Sequence, residues 1–214
     1  MSGRDCEDGF DAARGRMVDR LTERIDHPST EAALRAVPRH AFVPENRRGS
    51  AYEDRPLPIG GGQTISAPHM VAMMLDRLAL SPGERVLEIG TGCGYHAAAT
   101  AAVVGADHVY SVEYHSGLAK RARESLADLG YGAVSVRFGD GHEGWPDHAP
   151  YDAAYLTCAA DSFPAAVVDQ VRSGGRLLAP IGDDHQRLVY AEKTTDGIDR
   201  AEGSRVRFVP MRGG

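Results

Sequence analysis

The stretch Glu88-Ile89-Gly90-Thr91-Gly92-Cys93-Gly94-Tyr95 decides the fold. Ahead of its first glycine, Arg85 to Ile89 reads as a strand, and Tyr95 to Val104 reads as a helix. The glycines stand at alternate positions, more than a plain strand–helix turn requires. Glycine opens backbone conformations closed to other residues and lets main chain approach a ligand closely. The loop therefore reads as a ligand-binding βα turn. It is not a P-loop, which needs Gly-Lys-Ser/Thr after its glycines. The dinucleotide fingerprint wants Gly or Ala at its sixth position, and Tyr95 stands there.

Outward from this loop the pattern alternates. His108 to Val112 reads as a strand, Ser116 to Leu129 as a helix, and Ala133 to Phe138 and Tyr151 to Leu156 as strands. Phe163 to Val171 follows as a helix, Gly175 to Ile181 as a strand, and Arg187 to Glu192 and Arg205 to Val209 as closing strands. Such alternation predicts an α/β fold with a mostly parallel, doubly wound sheet and right-handed crossovers. Ligands then bind beyond the carboxyl ends of the strands.

Toward the N-terminus, Ser81-Pro82-Gly83 marks a turn behind a helix from Pro68 to Leu80. Residues 38 to 62 hold Pro38, Pro44, Pro56 and Pro58, and read as a long irregular segment. Phe42, Val43, Tyr52, Leu57 and Ile59 anchor it, so it reads as functional rather than disordered. A short helix spans Thr30 to Val37. Phe10, Val18, Leu21 and Ile25 leave a helical stripe with Asp8 as its cap, and residues 1 to 8 read as loose. The whole reads as one domain, 1–214, with helices and a loop segment in 1–80 and the α/β core in 81–214.

Composition narrows the function. The 214 residues carry 24 Lys+Arg against 30 Asp+Glu, a formal charge of -6, with no dense basic stripe. Nucleic acid is therefore not an expected partner. The cysteines, Cys6, Cys93 and Cys158, are odd in number and far apart, which suits a reducing cytoplasm rather than a disulfide framework. The first residues are polar and acidic, unlike a signal peptide, and no apolar run nears the ~20 residues that span a bilayer. No membrane partner is expected, and a monomer is expected rather than an oligomer. The nine histidines show no zinc spacing with the cysteines, so no metal is expected.

Acidic residues at the strand ends suggest the ligand. Glu88 precedes the loop and suits a cation, directly or through water. Glu113 ends the second strand, where a carboxylate can accept both hydroxyls of a ribose. Asp140, before Gly141, ends the third strand and can accept from an adenine amino group. An adenosine with a positive charge and no phosphate fits S-adenosylmethionine, whose product is S-adenosylhomocysteine.

Here the chain resembles a known family. Glu88 to Tyr95 is similar to the first motif of Rossmann-like S-adenosylmethionine-dependent methyltransferases. Residues from about Val37 to Met211 resemble, more narrowly, the protein-L-isoaspartate (D-aspartate) O-methyltransferases. The likeness rests on Val37-Pro38-Arg39-His40-Ala41-Phe42-Val43-Pro44, Asp54-Arg55-Pro56-Leu57-Pro58, Gln63-Thr64-Ile65-Ser66-Ala67-Pro68, Gly139-Asp140-Gly141, Gly174-Gly175-Arg176-Leu177 and Arg207-Phe208-Val209-Pro210. The resemblance implies a Rossmann-like methyltransferase fold. It implies methyl transfer to the free carboxylate of L-isoaspartyl and D-aspartyl residues in damaged proteins and peptides, with repair through a succinimide. It makes Ser66 the active-site serine. It places Gln63, Thr64, Ile65, Ser66, Glu88, Gly90, Gly92, Glu113, Tyr114, Asp140 and Gly141 at the cofactor, and Leu57, Ile59, Thr64, His69 and Val209 at the substrate. Thr157-Cys158-Ala159-Ala160 is expected to line the pocket. Val71 departs from the family, standing where some members carry a cofactor-proximal histidine, and Cys93 stands where serine is frequent.

The chemistry agrees with the resemblance. A carboxylate with pKa near ~4 is ionised at neutral pH and needs no general base. Catalysis is then alignment and dehydration. A small donor such as the Ser66 hydroxyl holds the carboxylate without quenching it, as Lys or Arg would. Ser66 as nucleophile would need the strand–Gly-x-Ser-x-Gly–helix context, which is absent. A plainer reading makes Ser66 or Thr64 the cap of the following helix, with Pro68 in its first turn. The rival functions are a methyltransferase for ordinary aspartate in a dedicated peptide, and a cofactor-binding module without catalysis.

Overall fold

The computed structural model describes residues 3–214, with side chains from residue 8 onward. Helices α1 (Gly3–Leu21), α2 (Pro28–Ala36) and α3 (Pro68–Leu78) precede the sheet. Met1 and Ser2 lie outside the described residues. α1 starts well before Asp8, so residues 3–8 are helical rather than loose, and Asp8 is interior to the helix rather than its cap. Pro28 and Pro68 each sit in a first turn, where the missing N–H costs nothing. Between α2 and α3, two 3₁₀ turns lead into a hairpin of β1 (Leu57–Gly60) and β2 (Gln63–Ile65), paired antiparallel. The irregular segment thus ends in a small sheet, turned by Gly61 and Gly62, which both take positive φ.

The main sheet is built from β3 (Val86–Ile89), β4 (Val109–Glu113), β5 (Ser135–Phe138), β6 (Tyr151–Leu156), β7 (Val171–Ile181), β8 (Arg187–Lys193) and β9 (Ile198–Arg205). Helices α4 (Tyr95–Val104), α5 (Ser116–Asp128) and α6 (Ala165–Gln170) alternate with its strands. The seven strands lie in the order β5-β4-β3-β6-β7-β8-β9. The first five in that order are parallel, and β8 and β9 close the edge antiparallel. Order reverses between β3 and β6, which puts the ligand crevice at the β3 loop.

Both faces of the sheet are buried. Val86, Ala153, Tyr155 and Leu178 face a cluster shared with Met17, Leu34, Leu57, Leu75 and Ala98. Leu87, Ile89, Ala154, Leu156 and Leu177 face the other side, with Phe163 and Val167. Residues of 1–80 and of 81–214 therefore share one apolar cluster. Alternate strand residues buried on opposite faces give the unbroken apolar runs of a parallel sheet. Arg176 ties α3 to this sheet. Its Nη1 donates to the carbonyls of Leu78 and Ala79, both at 2.8 Å, and Nη2 pairs with Glu84. Ala79 ends α3 in the left-handed region, at φ 47°.

The closing strand differs from expectation. β9 runs Ile198–Arg205, and residues 206–209 belong to no strand, although Val206 N still donates to Gln186 O at 3.0 Å. β9 is an exposed edge of sequence IDRAEGSR with no apolar alternation, so periodicity could not mark it.

Candidate active site

Two recesses open at the carboxyl ends of the parallel strands. The first, a cavity, holds about 760 Å³ with its open mouth included. The loop after β3 forms one wall with Gly90, Thr91, Gly92 and Cys93, continued by Tyr95 and His96 of α4. The end of β4 gives Val112, Glu113, Tyr114 and His115, and Gly141 closes the far side after β5. Gln63, Thr64, Ile65 and Ser66 cover it, and Thr157, Cys158, Val71 and the tail Val209–Arg212 complete it.

Local packing explains the glycines. Gly90 has φ 100°, and a Cβ there would strike Thr157 Oγ1. Gly92 presents its N–H to Glu113 Oε2 at 2.8 Å, while Glu113 Oε1 accepts from the N–H of His115 at 2.9 Å. The Glu113 side chain is thereby fixed at the cavity wall. A carboxylate offers about four lone-pair sites, so two remain for a ligand. A Cβ on Gly141 would collide with Ile89, so side chain is excluded there as well.

Glu88 is fully buried and does not reach the cavity wall, contrary to its expected contact. It faces into the sheet, where Ser111 Oγ donates to it at 2.5 Å and Tyr155 Oη at 2.9 Å. Thr91 Oγ1 lies 2.5 Å from Ser111 Oγ, and Thr100 Oγ1 lies 2.8 Å from Tyr155 Oη. Burial raises its pKa to about 7, against the two hydroxyl donors. Glu88 thus braces the glycine loop from beneath, through Ser111 and Thr91.

Other expected contacts also move. Asp140 is turned away from the cavity: it accepts from His142 N at 2.9 Å, His142 Nδ1 at 2.8 Å and Gly214 N at 2.9 Å. Desolvation raises its pKa, but these donors hold it below the ordinary value. The next residue, Gly141, does reach the wall. Leu57 is wholly buried and Ile59 nearly so. In β1 the alternate residues Leu57 and Ile59 point inward to the core, leaving Pro58 and Gly60 outside. Ile59 packs behind Gly92 rather than facing substrate.

The second recess is a groove beside it. Pro56, Thr64, Ser66, Ala67, His69 and Met70 form one bank, Arg205–Val209 the other, and Thr157 lies between. Thr64, Ser66, Thr157 and Val209 belong to both recesses. The tail bank is held by main chain and one side chain. Ala159 N donates to Val209 O at 2.8 Å, and Met211 N to Ala159 O at 2.7 Å. Gln186 Oε1 accepts from Phe208 N at 2.6 Å, and its Nε2 donates to Phe208 O at 3.1 Å. Arg207, pointing its main chain the other way, has no such partner among the described residues.

Neither Ser66 nor Thr64 caps α3. Its N-cap is Ala67 and makes no side-chain cap bond, while Thr64 lies in β2. Asp54 serves that end instead, accepting from His69 N at 3.0 Å and lying 2.8 Å from His69 Nδ1. Burial opposes ionisation of Asp54, but the His69 bonds hold its pKa below the usual value. Desolvation pushes the Cys93 thiol up to about 11 and the Cys158 thiol up to about 12, which disfavours the thiolate at both.

Sequence reasoning missed His96, His115 and Arg212 of the cavity lining. His115 follows Tyr114 directly and sits 3.4 Å from Gln63 Nε2, so adjacency was the available signal. His96 interrupts the apolar run of α4, a signal that was also readable.

The family model for protein-L-isoaspartate(D-aspartate) O-methyltransferase matches residues 14–214. A protein-L-isoaspartate O-methyltransferase of Archaeoglobus fulgidus is 48% identical over 207 residues, covering 95% of this chain and 94% of the relative. A solved protein-L-isoaspartate O-methyltransferase superposes with a TM-score of 0.86 at 29% identity, over 94% of this chain and 66% of that one. A Plasmodium falciparum protein assigned as such a methyltransferase, in complex with S-adenosyl-L-homocysteine, gives 0.82 at 25% identity, over 92% of this chain and 97% of that one. With a parallel sheet reversing at a glycine loop, a buried carboxylate at the next strand end and these relatives across its length, the chain has the Rossmann-like methyltransferase fold and belongs to the protein-L-isoaspartate (D-aspartate) O-methyltransferase family.

Proposed function

We propose that this chain performs its family's reaction where the two recesses meet. It methylates the free carboxylate of isoaspartyl residues in damaged proteins, with S-adenosylmethionine as donor. The observation that carries this reading is the set Thr64, Ser66, Thr157 and Val209, shared by the cavity and the groove. A group lying in one recess meets a group lying in the other only there.

The residues present fit the donor. Glu113, fixed at the end of β4, takes the ribose hydroxyls. Gly90 and Gly92 bring main chain close, and Gly141 leaves a bare wall for a flat base. Tyr114 and the turn Gln63–Ser66 cover the cavity. When bound, S-adenosylmethionine supplies an electrophilic methyl on a sulfonium.

The junction suits a carboxylate nucleophile. None of its four residues carries a titratable side chain. A carboxyl with pKa near ~4 is ionised without help. Thr157 directs its hydroxyl to the Gly90 and Ile89 carbonyls. The hydroxyls of Ser66 and Thr64 make no hydrogen bond among the described residues, so they are available to orient the carboxylate. Ser66 is the active-site serine in this reading, and His69, engaged by Asp54, lines the groove without acting as a base. The open main chain of Arg207 offers hydrogen bonds to an extended peptide.

The chain acts as one domain, as a monomer, in the cytoplasm. No described helix is long and apolar enough to cross a membrane. Radiolabelled methyl transfer to a peptide with one isoaspartyl residue tests the reading. A base-labile methyl ester is expected. Binding of donor without transfer would instead establish a cofactor-binding module.

A further inference from the structure

The groove carries charge that the methyl transfer itself does not use. Among the residues that line it, the permanently charged side chains are Arg205 and Arg207, and both stand on the tail bank. Exposure alternates along this bank. Arg205 and Arg207 are exposed, whereas Val206 and Phe208 are partly buried and pack against the apolar cluster. The two guanidinium groups therefore fall on the open side together, at every second residue.

No acid of the fold neutralises them. Neither arginine has a carboxylate within ion-pair distance among the described residues. Glu202 of the same strand is taken by Arg187, at 3.3 Å from its Nε. Arg187 in turn stands directly opposite Arg205 in the register of β8 and β9. Like charges facing each other across two strands are unfavourable, so packing gives no reason for Arg205. On the segment leading to the opposite bank, Glu53 pairs with Arg55 and Asp54 with His69. The chain as a whole has a formal charge of -6, which repels acidic peptides. The tail bank is a local reversal of that field.

The next step rests on the groove holding the peptide as proposed above, with the damaged residue at the junction beside Val209. Arg207 is two residues from Val209 and Arg205 four, so they lie at most roughly 7 and 13 Å along the bank at about 3.3 Å per residue. A peptide laid along the bank brings its second and fourth residues, counted from the damaged one, to these arginines. Both are set back from the reacting carboxylate, so they attract negative charge without quenching the nucleophile.

We propose that Arg207 and Arg205 select substrate by the charge of the flanking peptide. Isoaspartyl sites with Asp or Glu two and four residues away, on one side, are favoured, and sites with Lys or Arg there are disfavoured. Pairing at an exposed surface is weak and screened by salt. The preference is therefore graded, a few-fold per acid, and leaves the groove open to other sequences. It acts on capture of the peptide, and so on kcat/KM through KM.

The test is radiolabelled methyl transfer to one isoaspartyl peptide carrying Glu, Gln or Lys at the second and fourth positions, on either side of the damaged residue. At low salt kcat/KM should fall from Glu to Gln to Lys, by about tenfold across the series and on one side only. At about 0.5 M salt the spread should shrink to less than about twofold. Arg207→Gln should erase the effect of the second position and Arg205→Gln that of the fourth. Equal kcat/KM across the series, a spread that survives high salt, or a preference equal on both sides overturns the inference. So does a positional preference unchanged in both variants. If a variant does not fold, the wild-type series and its salt dependence decide alone. No transfer to any of the peptides would overturn the proposed function, and this inference with it.

Discussion

In the proposed reading the donor cavity and the substrate groove are walls of one site, and they are built by different means. The cavity wall is made at buried strand ends. Glu113 holds the glycine loop by a main-chain N–H, and Glu88 braces it from below through Ser111 and Thr91. The groove is made from a short hairpin, an exposed Thr64 and an extended tail hung on Gln186. The first wall is shaped for one rigid ligand. The second offers hydroxyls and main chain, suited to a damaged residue that occurs in many sequences. The proposed reading thus assigns donor recognition to interior packing and substrate recognition to backbone geometry.

Four changes probe that division, from the largest expected effect downward. Gly90→Ala puts a methyl against Thr157 at a φ of 100°, where a side chain is strained. Strain and clash together should weaken S-adenosylhomocysteine by roughly 3 kcal/mol or more. Adding Thr157→Ala should recover part of it by calorimetry. Unchanged affinity in Gly90→Ala would show that the loop is not a close-fitting wall.

Glu88 should leave its mark on stability rather than on binding. Its folded pKa, about 7, lies above the ordinary 4.5. The protonated form is thus favoured by folding. The contribution is fully present below pH 4.5 and is lost as pH rises through 7, by roughly 3 kcal/mol. Urea denaturation of the wild type against Glu88→Gln at pH 5 and pH 8 reads the difference. The wild type should lose stability relative to the variant over that interval. A constant offset would mean that Glu88 is ionised in the folded protein throughout.

Glu113→Ala should weaken S-adenosylmethionine and S-adenosylhomocysteine together, by about 2 kcal/mol for a charge-assisted contact. A loss for only one of them would place the carboxylate near the sulfur rather than the ribose.

Ser66→Ala should act on turnover alone. Loss of one hydrogen bond in the transition state lowers kcat about tenfold or more. Since Ser66 is not a cap of α3, the melting temperature should barely move. Full activity with a lowered melting temperature would return Ser66 to a structural part.

The cavity wall was largely legible in the sequence, and the groove in part: Thr64, His69 and Val209 line it as expected, whereas Leu57 and Ile59 do not. Alternating apolar strands and the spacing of Gly90, Gly92 and Gly94 fixed where the loop lies, because parallel sheets have few topologies. Glu88 and Asp140 were misplaced for one reason. An acid at a strand end can point to ligand, interior or a neighbouring turn, and the chain carries no local signal for which. Leu57 and Ile59 were placed at the substrate by resemblance, yet their apolar side chains are the inward face of β1 and anchor the segment to the core. Arg205 to Val209 was read as a closing strand, but the last strand ends at Arg205. The backbone beyond it is instead held by Ala159 and Gln186, contacts far away in the chain.

The central claim is that backbone geometry at the junction of cavity and groove selects the substrate. An isoaspartyl residue carries its free α-carboxylate on a shorter arm than an aspartyl side chain, with the peptide routed through the β-carbonyl. A groove that pins the peptide in extended form can bring only one of these carboxylates to Ser66. A displacement of about 1 Å can cost on the order of 100-fold in rate. The direct measurement is the rate of radiolabelled methyl transfer to two peptides of one sequence, one isoaspartyl and one L-aspartyl, repeated in several unrelated sequences. The isoaspartyl form should be favoured by about 100-fold or more in each. Equal rates on the two forms, or activity confined to a single sequence, would contradict the account and favour a dedicated aspartyl substrate.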